Sequence, residues 1–257
     1  LALKPLLSPL VTPALYAGVL FLCTLPSTVQ SSIAFTSIAK GNVPAAVCSA
    51  SASSLLGIFI TPALVSVLVT NQAAGGSSPW HTVGNIVLQL LVPFVAGQLL
   101  RPLIGKWIER HRGVLKFVDQ GSILLVVYGA FSESVTEGLW HQIPLSALGG
   151  VLLISVVLLA LALGMTIFVS KRLGFSRADQ ITIIFCGSKK SLAAGVPMAK
   201  VIFASQAVGA VVLPLMLFHQ IQLMVCAALA QRWGARDTSG ETRAASRERA
   251  AAAVARR

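Results

Sequence analysis

Long stretches of almost entirely apolar residues recur along this chain, and no other feature constrains its fold so tightly. Residues 146–170, SALGGVLLISVVLLALALGMTIFVS, carry no charged side chain. A helix of that length crosses a bilayer core of about 30 Å. A soluble helical bundle would need far more polar cover. Only 11% of the residues are charged, where soluble domains carry roughly 25%, and the mean hydropathy is +0.81. The sequence therefore reads as an all-α, polytopic membrane protein with the lipid bilayer as its first partner.

Apolar runs between polar punctuation predict spans at 10–25 with a continuation 28–39, then 43–69, 83–104, 120–141, 146–170, 178–202 and 205–231. The stretch 105–117, GKWIERHRGVLKF, is too polar to span and reads as interfacial, with Trp107, Ile108, Leu115 and Phe117 as its apolar part. The cysteines Cys23, Cys48, Cys186 and Cys226 all fall inside apolar segments without a CxxC spacing. They read as small packing residues, not as a disulfide frame or a zinc site.

The net charge of +12 suggests nucleic acid until its distribution is considered. Arg101, Lys106, Arg110, Arg112 and Lys116 share one connection; Lys171, Arg172 and Arg177 share another; Lys40 lies in a third, and the tail 232–257 adds seven arginines. The connections 70–82, 141–146 and 202–205 between them have no Lys or Arg. Strict alternation of this kind is the positive-inside pattern of a chain crossing an inner (plasma) membrane repeatedly. It excludes nucleic acid as a partner and predicts a cytoplasmic C-terminus, with 232–257 a basic, disordered tail near anionic lipid. Only Lys4 and Lys200 fall on the far side.

Two of the apolar segments are interrupted. The first breaks at TLPSTVQSS (24–32), where Pro26 lacks a backbone donor and Ser27, Thr28, Ser31 and Ser32 offer oxygens to cap a restarted helix. The second breaks at CGSKKS (186–191), where Gly187 loosens the helix and Ser188 can cap the helix beyond the break. SIAFTSIAK (32–40) after the first break resembles SLAAGVPMAK (191–200) after the second, and GIFITP (57–62) resembles GAVVLP (209–214). By the charge pattern the two units enter from opposite sides. Discontinuous helices at matching places of an inverted repeat mark the binding site of a secondary transporter, because broken backbone is tolerated at membrane depth only where it is buried or lines a wet cavity.

LPSTVQSSIAFTSIAKGN (25–42), SASASSLLGIFITPAL (49–64), VVYGAFSE (126–133), FCGSKKSLAAGVPMAK (185–200) and FHQIQL (218–223) together resemble the bile acid:sodium symporter superfamily. The likeness is to its bacterial symporter branch, similar to vertebrate solute carrier family 10 member 7, and runs from residue 1 to about 231. It implies ten helices in an inverted five-plus-five repeat, split into a core and a panel. On that template this chain resembles helices four to ten. Residues 1–82 and 142–231 are core-like and 83–141 panel-like, and three N-terminal helices are missing. The family's sodium ligands are Ser or Asn on the fourth helix, Ser or Thr on the fifth, and a carboxylate and Gln on the ninth. Ser31 and Ser32 match the first set. Ala46 and Ala50 replace the second, with Ser49, Ser51 and Ser53 nearby. Phe185 or Cys186 falls at the carboxylate, and Lys189 and Lys190 at amide positions. A sodium site needs hard oxygens and negative charge, so ammonium groups there argue against the two-sodium site.

An ionisable residue at mid-membrane costs roughly 2.5–3.5 kcal/mol on insertion scales, so adjacent Lys189 and Lys190 require a reason. Neighbouring helical residues point about 100° apart, so the two would not share a partner. One ammonium could take the former cation position, donating to Ser31, Ser32 and freed carbonyls. It could instead meet an anionic solute, or carry a coupled proton. Alternatively the break lies near the surface and both snorkel, although about ten residues into the segment places them roughly 15 Å deep. Glu133 is the one carboxylate well inside a predicted span, and could counter a lysine or line the outer mouth; His219 and Gln222 fall near the centre of the last span. The candidate binding set is Ser31, Ser32, Ser49, Ser53, Glu133, Ser188, Lys189, Lys190, Ser191, His219 and Gln222. No nucleophile–base pair, phosphate loop or metal cluster suggests an enzyme, and no cofactor is expected beyond the sodium question. The reading is a secondary transporter of an organic, anionic solute working by alternating access. The alternative is a membrane regulator in ion homeostasis that transports nothing.

Overall fold

The computed structural model describes residues 11–68, 92–136, 144–203 and 208–255 and the single positions 88 and 138, with side chains described no further than Ala235. Among these residues there are nine helices and no strand: α1 Pro13–Thr24, α2 Val29–Ile38, α3 Val43–Leu68, α4 Val92–Arg110, α5 Arg112–Thr136, α6 Leu145–Arg172, α7 Arg177–Ser188, α8 Leu192–Ile202 and α9 Val208–Ala255.

Local chemistry sets the boundaries. Pro13 opens α1, where its missing N–H costs nothing. The helix stops when Leu25 turns extended ahead of Pro26. Asn42 caps α3, its side-chain oxygen accepting the Ala45 N–H at 3.1 Å. Lys171 and Arg172 close α6 against the negative end of its dipole. Gly174 then takes φ +69°, and the N–H of Phe175 donates back to the Ser170 carbonyl at 3.3 Å. Ser176 opens α7 as one half of a capping box. Its hydroxyl accepts from the Asp179 N–H at 3.2 Å and donates to the Asp179 carboxylate at 2.7 Å.

Val43–Val65, Leu145–Arg172 and Val208–Ala235 are long and apolar enough to cross a membrane, and α1 with α2 passes the same test as a pair bent by 60°, the shape of a broken span or a re-entrant loop. In α6 only 22% of the most apolar window is buried within the protein. Leu153, Val156, Val157, Leu161, Met165 and Phe168 form a continuous exposed apolar face, as a helix set in lipid presents. Helices α4 and α5 occupy most of the expected spans 83–104 and 120–141; the start of the first and the end of the second lie outside the described residues. The polar stretch 105–117 is the end of α4, a turn at His111 and the start of α5, with the Trp107 and His111 rings stacked at 4.6 Å.

The main core lies between α1, α6, α8 and α9, built on Phe21, Leu22, Leu25, Leu159, Val196, Met198, Val211 and Leu215, all nearly inaccessible to solvent. Phe21 meets Phe203 edge-on at 5.5 Å, the favourable arrangement for two ring quadrupoles.

Three basic connections meet at one end of the molecule. The Asn42 amide donates to the Asp179 carboxylate at 2.8 Å, its N–H to the Ala178 carbonyl at 3.1 Å, and the Thr182 hydroxyl to the Asn42 carbonyl at 3.0 Å. The loop bearing Lys40 is thereby tied to the start of α7. Gly234 packs against the Ile38 carbonyl so closely that a Cβ there would collide with it, which brings the start of the arginine-rich tail to the same end. Helix α9 runs on into the tail as far as Ala255. The segment is rich in alanine and arginine, strong helix formers that can extend a helix with no apolar face to bury.

Candidate functional site

Both interrupted segments break at the same place in space, and each break satisfies the backbone groups that the other sets free. In a membrane core a carbonyl without a donor is costly, so each has to be accounted for. Along the first break, Phe21 accepts the Thr24 hydroxyl at 2.7 Å and Leu22 the Leu25 N–H at 3.4 Å. The Cys23 and Leu25 carbonyls both accept the Lys190 ammonium, at 3.1 and 2.9 Å. Thr24 accepts the Thr61 hydroxyl of α3 at 2.8 Å, Pro26 the Ser191 N–H at 2.9 Å and Ser27 the Ser54 hydroxyl at 3.5 Å. The Ser27 N–H donates to Ser53 at 3.0 Å.

The second break is held reciprocally. The Ser32 hydroxyl donates to the Phe185 carbonyl at 3.3 Å, the Ser27 hydroxyl to the Cys186 carbonyl at 2.6 Å, and the Thr28 hydroxyl to the Lys190 carbonyl at 2.9 Å. Gln222 of α9 grips the backbone of that same residue on both sides. It accepts the Lys190 N–H at 2.9 Å and donates to the Lys190 carbonyl at 2.8 Å. That pairing fixes which end of the amide carries nitrogen. The amide nitrogen also lies 2.9 Å from His219 Nδ1.

The lysines diverge. Lys189, only 1% exposed, donates to the Ser31 carbonyl at 2.8 Å. Its ammonium stands 3.6 Å from the centre of the Phe35 ring and 5.6 Å from that of Phe185, within cation–π range. Lys190, half-buried, turns to the C-terminal end of α1, where the helix dipole favours a cation. Every hydrogen-bond or ring partner given to these two ammoniums among the described residues is a neutral carbonyl or ring.

The structure brings together Ser31, Ser32, Ser53, Ser188, Lys189, Lys190, Ser191, His219 and Gln222 of the expected set. The Ser31 hydroxyl is buried without a hydrogen-bond partner among the described residues. Ser49 stays exposed on α3, its hydroxyl beside the Cys186 thiol. The backbone of Glu133 belongs to α5, but its side chain lies outside the described residues, so its pairing with a lysine stays an expectation.

Two expectations about capping are corrected. The Thr28 side chain does not cap α2; it and the hydroxyls of Ser27 and Ser32 cross to the other break, where they donate to freed carbonyls. Ser188 does not cap α8 either. Its hydroxyl turns back to the Ile184 carbonyl at 2.6 Å, helix α7 continues through Gly187, and the cap is Ser191, accepting from the Ala194 N–H at 3.2 Å. Phe35 and Thr61 were missed as members of the site. Each was legible only as part of the paired motifs SIAFTSIAK and GIFITP, because nothing local says that a ring will meet an ammonium or that a hydroxyl will meet a distant carbonyl.

The Gln222 clamp leads to a sharp expectation. Gln222→Leu leaves the Lys190 N–H unpaired and removes one of two donors to its carbonyl, at about 1–3 kcal/mol for a buried orphan. Thermal unfolding of the purified full chain should show a lower midpoint for Gln222→Leu. Unchanged stability would mean that the peptide is not held from α9.

The family model described as the SBF-like CPA transporter family matches residues 1–235. "Uncharacterized protein PA2026" of Pseudomonas aeruginosa is 66% identical over 236 residues, 92% of this chain and 71% of that protein. "Putative symporter YfeH" of Escherichia coli K12 is 57% identical over 223 residues, 87% of this chain and 67% of that protein. "Sodium/bile acid cotransporter 7" of Xenopus tropicalis is 27% identical over 221 residues, 84% of this chain and 63% of that protein. The chain thus spans about two thirds of the length of these relatives.

Proposed function

The chain belongs to the SBF-like CPA transporter family, and from that premise we propose that it serves secondary transport of an organic, anionic solute by alternating access around the crossing of α1/α2 and α7/α8. One observation carries the reading: two helices break at one point and satisfy each other's freed backbone groups. A break of this kind has no value in a static bundle and is the usual construction of a transporter's binding site. The ammoniums at the crossing favour a negatively charged solute. The similarity of α1–α3 to α7–α9 fits an inverted repeat, with α4 and α5 as panel. The basic end formed by Lys40, Arg177 and the start of the tail is placed in the cytoplasm by the positive-inside rule, which puts the C-terminus there and the protein in the inner membrane. Sodium coupling through two bound ions does not suit a crossing already holding two fixed cations.

The test is uptake into proteoliposomes by a version carrying the full length of its bacterial relatives, across a panel of radiolabelled organic anions, with and without a sodium gradient. Uptake of at least one anion, indifferent to sodium, is expected. If a well-folded protein takes up none of them, the alternative gains: a membrane regulator in ion homeostasis that transports nothing.

A further inference from the structure

The Lys190 ammonium occupies a seat that its own side chain did not build. The oxygens belong to residues 23 and 25, at the C-terminal end of α1, and they are free for reasons independent of any lysine. Leu25 is extended at the helix end. Pro26 has no N–H to offer the helix, and Ser27 spends its N–H on Ser53 at 3.0 Å. Two carbonyls at the negative end of a helix dipole, converging on one point, attract any small cation with N–H groups or a positive charge. The ammonium reaches them at 3.1 and 2.9 Å. Cys23 is exposed and Lys190 is half-buried, so the protein itself does not fully enclose the seat.

We infer that the carbonyls of Cys23 and Leu25 form a seat for a small monovalent cation, filled in this protein by the tethered Lys190 ammonium. An untethered ammonium-type ion is its best substitute, because both oxygens already accept N–H donors. The tether makes the cation permanent. The chain needs no ion from solution to hold α1 against the α7/α8 break, and loss of the lysine uncovers an ion site. This deepens the reading of the crossing as the transport centre and shares its premise that the crossing is the working part. The test reads ion binding through stability, so it can succeed where uptake fails and fail where uptake succeeds.

The full chain is purified as wild type, Lys190→Ala and Lys190→Met, and its thermal midpoint is followed while choline chloride is exchanged for ammonium, methylammonium, sodium or potassium chloride at constant ionic strength. Wild type should hold one midpoint in all five salts. Lys190→Ala should lose several degrees in choline and regain most of the loss, saturably, with ammonium or methylammonium. Lys190→Met, whose neutral side chain fills the space, should show the loss without the recovery, which separates a vacated seat from a general salt effect. Equal midpoints for Lys190→Ala in choline and ammonium would overturn the inference, as would equal recovery by Lys190→Met. Should neither variant survive purification in choline, purification in ammonium chloride rescues Lys190→Ala alone if the seat exists; failure of both there also overturns it. A wild-type midpoint that rises saturably with ammonium or sodium would show that the lysine does not fill the seat.

Discussion

Lys189→Ala combined with Lys190→Ala should lower solute uptake in proteoliposomes at least about 100-fold per inserted chain while membrane insertion stays near wild type. Three ammonium–carbonyl hydrogen bonds are lost, each worth about 1.5–3 kcal/mol, and a tenfold change needs only about 1.4 kcal/mol. Neutral alanines cost less to insert than lysines do, so insertion should not suffer. The single variants should divide the effect. Lys189 is almost fully enclosed by Ser31, Phe35 and Phe185, so Lys189→Ala leaves a cavity and an unpaired Ser31 carbonyl and should be the less stable of the two. Lys190 is half-buried over the end of α1, so Lys190→Ala should reduce uptake with the smaller loss of stability. Wild-type uptake by the double variant would remove the lysines from the mechanism.

The second large effect is structural. Gly18 of α1 lies so close to α9 that a Cβ would run into the Val211 carbonyl, with Pro214 on its other side at 3.0 Å. Backbone cannot rotate away as a side chain can, so Gly18→Leu must separate two of the helices that build the main core. Overpacking of this kind costs about 1–3 kcal/mol or more. The expected result is loss of the monodisperse peak in size-exclusion chromatography of the detergent-solubilised protein. Gly149→Leu on α6 is the control, since a Cβ there meets nothing within 4 Å. Equal behaviour of the two variants would refute the packing of α1 on α9.

Much of this architecture was readable from the residues because membrane folding leaves few options. The apolar runs gave the long helices α3, α6 and the first part of α9, and Pro26 and GSKKS located both breaks within a few residues. The paired motifs around Gly57 and Val211 also proved to be points of close approach: a Cβ at Gly57 would meet the Pro26 ring at 2.6 Å, and Val211 receives Gly18. The direction of individual hydroxyls was not readable. Ser27, Thr28 and Ser188 have the composition of caps, and a cap is the local optimum. Tertiary structure overrode it by offering Ser27 and Thr28 carbonyls from a helix more than 150 residues away, at Cys186 and Lys190.

Sodium binding to the purified full chain tests most directly whether the two lysines stand in for mobile ions at the crossing. Equilibrium dialysis against radioactive sodium, with the chain in detergent and choline as the counter-salt, measures ions bound per chain. With the ammonium of Lys190 on the Cys23 and Leu25 carbonyls and that of Lys189 on the Ser31 carbonyl, wild type should bind none saturably. Two saturable sodium ions per wild-type chain would contradict the account.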